Sequence, residues 1–212
     1  MRKYKLLLIP LLVALPFLLY QVYNFILTDE TAFHGADTFF LGEVKFESSS
    51  FSYILGRRLA RTPKGSIIYS VIGDSERNAV VLLNGEFWLY VREDYQVPTK
   101  GKITTVISAR EDITSDILCE ALEDIIESDG ETFIREVDSF WRETTQFDVY
   151  FENSPLGVRK YIGYVENKLV FVSDFVYNPH AEDDAKRLIV TYKVIEDKYV
   201  PIIEGWIFPV SA

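Results

Sequence analysis

Apolar residues are concentrated in one segment near the start of the chain. Residues 6–27 form a run of 22 positions, of which four are not hydrophobic. A helix of roughly 20 such residues, rising about 1.5 Å per residue, is long enough to cross the hydrocarbon core of a bilayer. The pattern therefore predicts a transmembrane anchor over residues 6–27, with a short tail at residues 1–5 and a polar tether at residues 28–37.

The charges that flank this segment predict its orientation. Arg2, Lys3 and Lys5 precede it, and Asp29 and Glu30 follow it. Because basic residues are retained on the cytoplasmic side, we expect a single-pass cell-membrane protein with its N-terminus inside and the later chain extracytoplasmic. A cleaved signal peptide is the alternative, although the apolar run is longer than the roughly 7–15 residues of a signal core.

Beyond the tether, short β-rich runs alternate with turns that contain Gly, Pro, Asn or Asp, a pattern typical of strands. Asn84-Gly85 is the strongest turn signal and predicts a two-residue hairpin loop that places Leu82 opposite Phe87. We expect six strands and hence a small barrel or curled sheet. The strands are predicted at residues 41–46, 51–55, 66–72, 79–83, 86–91 and 102–108.

The apolar period then lengthens to three and four residues. The positions between Ser115 and Ser128 predict one amphipathic helix, and a second apolar stripe from Phe133 to Trp141 predicts another directly after it. Alternation returns after Thr145, where we expect antiparallel strands at residues 147–151, 158–165, 169–172, 188–195 and 199–208.

These elements predict an α+β fold. Residues 38–212 are expected to form an antiparallel β-rich outer domain with a two-helix hairpin packed on one sheet face. Two sub-units are an alternative division, with the curled sheet at residues 38–112 and the helices and meander at residues 113–212. The single cysteine, Cys119, excludes an internal disulfide and is expected to be a small buried hydrophobe.

Composition and charge narrow the function. The chain is 48% hydrophobic and 15% aromatic, which is enough for a folded core. Because all 32 acidic residues and only 19 of the 22 basic residues follow the apolar segment, the later chain carries a net charge of −13. Such an acidic domain argues against nucleic-acid binding, which needs a basic face.

The candidate metal ligands lie in one loop. The chain has two histidines, His34 and His180, too few for a three-histidine zinc site. Around the second, Glu182, Asp183 and Asp184 offer carboxylates to a divalent cation. The spacing is not that of a calcium loop, so an ordinary polar connection is the alternative. No H-E-x-x-H, G-x-S-x-G or phosphate-loop motif is present.

A basic strip interrupts the acidic domain. Arg57, Arg58, Arg61 and Lys64 fall within eight residues. Close to a membrane they would contact anionic headgroups or wall polymers. The alternative is a charged strand edge that discourages aggregation.

Together these features favour an extracytoplasmic binding domain, of bacterial type, whose partner is another envelope protein or an envelope polymer. No cofactor is expected, and the oligomeric state is left open. One alternative is an immunity protein that intercepts a toxin at the membrane surface. Another is a carboxylate- or metal-assisted envelope hydrolase that uses the loop of residues 180–184.

Overall fold

The computed structural model describes residues 38–208 except 42, 63–64, 110 and 178–186. The predicted tail, anchor and tether over residues 1–37 lie outside this part of the chain. Among the described residues, no helix has the length and apolar character needed to span a bilayer. The chain groups into two compact units, one ending at Gln96 and the other beginning at Val97.

The first unit is an antiparallel sheet. Its described strands pair in the order β1-β2-β7-β6-β5-β4. Buried side chains from five of these strands form its core: Phe46, Ala60, Ile68, Val80, Leu82 and Tyr90. The strands of this sheet are β1 (Thr38–Leu41), β2 (Val44–Ser49), β4 (Leu55–Arg61), β5 (Ile67–Val71), β6 (Ala79–Asn84) and β7 (Glu86–Arg92). The two-residue strand β3 (Ser52–Tyr53) lies between β2 and β4 in the chain and is not part of this sheet.

The hairpin of β6 and β7 is present, but the predicted register is wrong by one residue. Leu82 lies opposite Trp88 rather than Phe87, and Asn84 pairs with Glu86. Gly85 alone lies at the centre of the turn, with a φ of +78° that suits glycine. The Asn84-Gly85 pair therefore predicts the place of the turn correctly. The length of the loop follows instead from the pairing of β6 with β7.

The second unit combines an antiparallel meander with two short helices, so the predicted α+β class is confirmed. Its sheet runs in the order β10-β14-β13-β12-β11-β8-β9. The elements are β8 (Ile103–Ser108), β9 (Glu111–Asp112), α1 (Asp116–Glu127), β10 (Thr132–Val137), β11 (Thr144–Phe151), β12 (Leu156–Val165), β13 (Lys168–Tyr177), β14 (Leu188–Val194) and α2 (Val200–Ile207).

Helix α1 begins and ends where the sequence predicts. Ser115 caps it, and its Oγ accepts the N–H of Leu118 at 3.2 Å. Its apolar face packs against β8 and α2. Cys119 is free and buried on this face, as expected, and burial raises the pKa of its thiol.

A lysine from the sheet caps the C-terminal end of α1. The last turn of the helix has no basic residue of its own. Instead, the buried Lys193 of β14 donates from Nζ to the carbonyl oxygens of Ile125 at 2.8 Å and Ser128 at 2.7 Å. A cation suits these unpaired carbonyls at the negative end of the helix dipole. Desolvation nevertheless lowers the pKa of Lys193.

The predicted second helix of the hairpin is wrong, since the segment after α1 is strand β10. Its six residues pair with β14, and Phe133, Arg135 and Val137 alternate with three exposed residues. The apolar spacing fits both a helix and a strand for so short a segment. The β-branched and aromatic residues of this segment favour a strand, and the edge of β14 is available to pair with it.

The predicted last strand over residues 199–208 is also wrong, because helix α2 occupies it. Pro201 lies in the first turn of this helix. There proline loses no hydrogen bond, since the first N–H groups of a helix have no partner within it. The same residue is unfavourable in a strand, and the helix removes that conflict.

Alkaline pH is expected to destabilise the fold through Tyr150, whose pKa is raised to about 12 chiefly by burial and then by the charge of Asp148. Since an unfolded tyrosine titrates near pH 10, the folded state keeps a proton that the unfolded state loses between about pH 10 and 12. The contribution of Tyr150 is therefore complete below about pH 10 and falls by about 2 kcal/mol as pH rises through this window.

The measurement is the urea-unfolding free energy at about pH 8, 10 and 11. Tyr150→Phe is expected to lose less stability over this range than the parent chain does. Tyr177→Phe is the matched control, because that side chain is exposed at the end of strand β13 of the same sheet. A Tyr150→Phe variant with the same alkaline loss as the parent chain would contradict the assignment.

Candidate functional site

The turn between β10 and β11 contains one fully buried side chain, that of Phe140. Phe140 is 0% exposed. Its carbonyl oxygen accepts two hydrogen bonds, from the N–H of Glu143 at 3.1 Å and from Oγ1 of Thr144 at 2.9 Å. The turn is therefore fixed by its own backbone as well as by burial of the Phe140 ring.

A glycine on the adjoining strand lets this turn approach the sheet. Gly163 lies opposite Thr144 in the β11–β12 ladder. A Cβ at Gly163 would lie 1.9 Å from the carbonyl oxygen of Glu143 and 2.7 Å from Cα of Thr144. Both contacts are with backbone atoms, so glycine is the residue that this close approach permits.

The turn presents Trp141 at the surface, on top of an aromatic cluster. Its ring centroid lies 3.9 Å from that of Phe140, 5.5 Å from that of Tyr161 and 5.8 Å from that of Phe175. Trp141 is nevertheless 47% exposed. Its position is thus set by ring contacts on one side, while much of the indole is open to solvent.

Beside Trp141 is a pocket of about 380 Å³, lined also by Thr144, Gln146, Arg159 and Tyr161. Strand register brings the last three together. Gln146 lies opposite Tyr161. The next pair on the same face is Asp148 with Arg159. Paired residues on adjacent strands share a face, so all three side chains are directed to one side of the sheet. A volume of this size is typical of small-molecule sites.

The pocket lining contains one positive charge, that of Arg159. Arg159 Nε lies 3.7 Å from Oδ1 of Asp148, which is beyond hydrogen-bond distance. The guanidinium therefore has donors to offer a ligand. Burial raises the pKa of the Tyr161 hydroxyl, and the nearby Arg159 acts in the opposite direction. At neutral pH the Tyr161 hydroxyl is protonated and can donate a hydrogen bond.

The lining is chemically suited to binding. It offers an aromatic wall, a guanidinium, an amide and two hydroxyls, but no carboxylate or histidine among its residues. Cleavage of a glycosidic bond ordinarily requires two carboxyl groups flanking the bond. Within the described part of the chain, no group of three His, Cys, Asp or Glu residues could hold a metal ion.

The metal ligands proposed from sequence are not described by the structure. His180, Glu182, Asp183 and Asp184 all fall in the gap of residues 178–186. The cation site proposed for this loop stays a prediction.

The basic strip is described in part. Arg57 and Arg61 are exposed and Arg58 is half-buried, all three on β4, while Lys64 lies outside the described residues. Strand β4 is at one end of the first sheet. This position fits either a contact surface or a charged edge.

Comparison of the chain with protein-family models, with characterised proteins and with solved structures finds no match. The pocket's own residues are therefore the guide to its ligand. Sequence reasoning missed the pocket because it placed Trp141 on the buried face of a helix. Tyr161 lies on strand β12, and no sequence signal joins it to Trp141.

Proposed function

We propose that this chain is a membrane-anchored extracytoplasmic binding protein whose second unit holds a sugar ring of a bacterial envelope polymer. The observation that carries the proposal is the exposed Trp141 beside a pocket with a hydrogen-bonding rim. The apolar segment at residues 6–27 supports the membrane location.

A sugar ring matches the chemistry of the two sides of this pocket. A pyranose has one face of C–H groups and an edge of hydroxyl groups. Its C–H face suits the negative face of the Trp141 ring, and its hydroxyls suit the donors and acceptors of Arg159, Gln146 and Thr144. An entirely apolar ligand would cover the Arg159 guanidinium without giving its remaining donors a hydrogen-bond partner, which costs binding energy.

Polymer binding also fits the geometry of a single exposed ring. Trp141 lies at the surface and the pocket beside it is open to solvent, so one sugar of a polymer could enter it while the polymer continues outside. Such a site binds one ring weakly. Repeated sugars on one polymer, and many anchored copies of the protein, would raise the overall affinity by multivalency.

The test is binding of the full-length chain, in detergent, to two probes: sedimented peptidoglycan sacculi and a soluble disaccharide-peptide fragment of peptidoglycan. Trp141→Ala is expected to weaken binding of the fragment by at least about tenfold, since truncated tryptophans in contact sites commonly lose this much. Arg159→Ala is expected to weaken it as well. Binding is followed by co-sedimentation and by titration calorimetry.

The matched control is Trp88→Ala. Trp88 is 49% exposed, close to the 47% of Trp141, but it lies in the first unit. Equal loss in both variants, or retained binding in Trp141→Ala, would contradict the assignment of the site. Release of soluble sugar from the sacculi that is lost on His180→Ala would instead identify the chain as a hydrolase.

A further inference from the structure

The first unit has a pocket of its own, which combines two segments far apart in the chain. Strand β4 forms one side and the turn between β5 and β6 forms the other. Its volume is about 420 Å³, and its polar lining consists of Arg57, Ser70, Asp74, Ser75 and Arg77. The basic strip seen in the sequence contributes Arg57 to this pocket, while Arg77 comes from outside the strip.

A close approach of two strands positions Arg57. A Cβ at Gly56 would lie 2.3 Å from Oγ of Ser70, so glycine allows β4 to lie tightly against β5 at this point. The Ser70 hydroxyl donates to the carbonyl oxygen of Arg57 at 3.3 Å. The backbone that carries the Arg57 side chain is thus fixed at the edge of the pocket.

The opposite side is a turn stabilised by Asp74. Its N–H donates to the carbonyl oxygen of Val71 at 3.3 Å, and its Oδ2 accepts the N–H of Ala79 at 2.7 Å. These bonds tie the start of the turn to its end. Ser75 and Arg77 lie between the two tied points, so they are held close to Arg57.

Arg77 has a backbone conformation that arginine rarely adopts. Its φ is +56°, in the left-handed region, where a residue with a Cβ costs about 1 kcal/mol relative to glycine. Such outliers are concentrated where a side chain has a role to perform. Glycine would adopt this backbone conformation more easily, and the residue that occupies the position, Arg77, lines the pocket.

Asp74 is the carboxylate of the pocket lining, but it pairs with neither arginine: its Oδ2 accepts from Ala79, and its buried Oδ1 has no hydrogen-bond partner within the described part of the chain. Among the described residues, no acidic group lies within ion-pair distance of Arg57 or Arg77. Arg57 and Arg77 both line this cavity and both are exposed, and like charges that share a cavity repel each other. With Asp74 counted, the lining holds two positive charges and one negative charge in a chain of net charge −10, and this local excess of positive charge favours a ligand of negative charge.

We propose that this pocket binds a phosphate group, with the guanidinium groups of Arg57 and Arg77 on either side and the Ser75 hydroxyl as a further donor. One guanidinium satisfies a carboxylate bidentately, whereas the oxygens of a phosphate can occupy two guanidiniums and a hydroxyl together. The phosphate belongs either to a lipid headgroup or to a soluble phosphate ester. This site is in a different unit from the Trp141 pocket and does not depend on the function proposed for it.

The experiment is calorimetric titration of the full-length chain, in a neutral detergent, with sodium phosphate at constant ionic strength set by sodium chloride. We expect saturable binding that weakens as salt increases. Arg57→Ala and Arg77→Gly are each expected to weaken it by about tenfold, the loss associated with one charge-assisted hydrogen-bonding partner. Thermal unfolding of each variant is measured in parallel.

Arg77→Gly separates binding from folding. Because glycine relieves the backbone strain, the melting temperature of this variant is expected to equal or exceed that of the parent chain, even though phosphate binding is weakened. Arg61→Ala is the matched control, since Arg61 is an exposed arginine on the same strand that does not line the pocket. Its phosphate affinity is expected to be unchanged.

The source of the phosphate is distinguished by competition. Dihexanoyl phosphatidylglycerol, a soluble short-chain lipid, and glycerol phosphate are titrated against the phosphate complex. Stronger displacement by the lipid identifies a headgroup site, and equal displacement identifies a site for soluble esters. Three results would overturn the proposal. They are the absence of saturable phosphate binding, unchanged phosphate affinity in both Arg57→Ala and Arg77→Gly, and a loss of affinity in Arg61→Ala equal to the loss in those two variants.

Discussion

Gly163→Ala is expected to destabilise the second unit by about 3 kcal/mol, at the upper end of ordinary overpacking effects. The added methyl group would lie 1.9 Å from the carbonyl oxygen of Glu143. No side chain can rotate away to relieve this contact, because the atoms it meets belong to the backbone. Either the turn lifts from the sheet or strand β12 shifts, and in both cases Trp141 loses the position that forms one wall of the pocket.

Urea unfolding measures the stability loss, and titration with the peptidoglycan fragment measures the loss of binding in the molecules that still fold. Gly205→Ala is the matched control. Gly205 lies in helix α2, and a Cβ there would have no atom within 4 Å. Its replacement is expected to stabilise the chain by up to about 1 kcal/mol, because alanine favours the helix. Equal stabilities for the two variants would contradict the packing described at Gly163.

Elements with a local signal could be predicted from the sequence. Helix α1 has a capping serine at its start, an apolar face of helical period and a polar end. The hairpin of β12 and β13 is equally local. The strands predicted at residues 158–165 and 169–172 imply a three-residue loop, which the structure shortens by one residue. Val165 pairs with Lys168, so the loop is Glu166 and Asn167, with φ values of 52° and 62°.

The wrong predictions share a physical cause. Strand β10 and helix α2 are six and eight residues long, too short for the spacing of apolar residues to separate a period of two from one of 3.6. What decides each is its neighbour. The edge of β14 is open to pairing by β10, and α1 offers α2 a helical surface. Neither neighbour is near in sequence.

The candidate site could not be predicted for the same reason. Trp141 follows β10, and a helix over this segment places its ring on a buried face. Gln146 and Tyr161 are brought side by side only by the register of β11 against β12. In the first unit, likewise, Arg57 and Arg77 are separated in the chain by strand β5. They line one pocket only because β4 pairs with β5. Sequence showed which residue types were available but not which of them are neighbours.

Phe140→Ala is expected to have the largest effect on stability, a loss of about 3–5 kcal/mol. Phe140 is 0% exposed, and its ring lies within 5.0 Å, centroid to centroid, of the rings of Tyr161 and Phe175 as well as next to Trp141. Removing it opens a cavity beneath three aromatic side chains. The loss combines the transfer free energy of the ring with the cost of a space that the surrounding rings fill only in part.

The measurement is the midpoint and slope of urea unfolding. Phe140→Leu is expected to recover more than half of the loss, because it keeps most of the buried volume. Phe87→Ala is the matched control: Phe87 is 50% exposed, so removal of its ring is expected to cost less than about 1 kcal/mol. If Phe140→Ala cost no more than Phe87→Ala, the aromatic cluster would not support the turn. The position of Trp141 would then depend on the hydrogen bonds to the Phe140 carbonyl oxygen and on the close approach at Gly163.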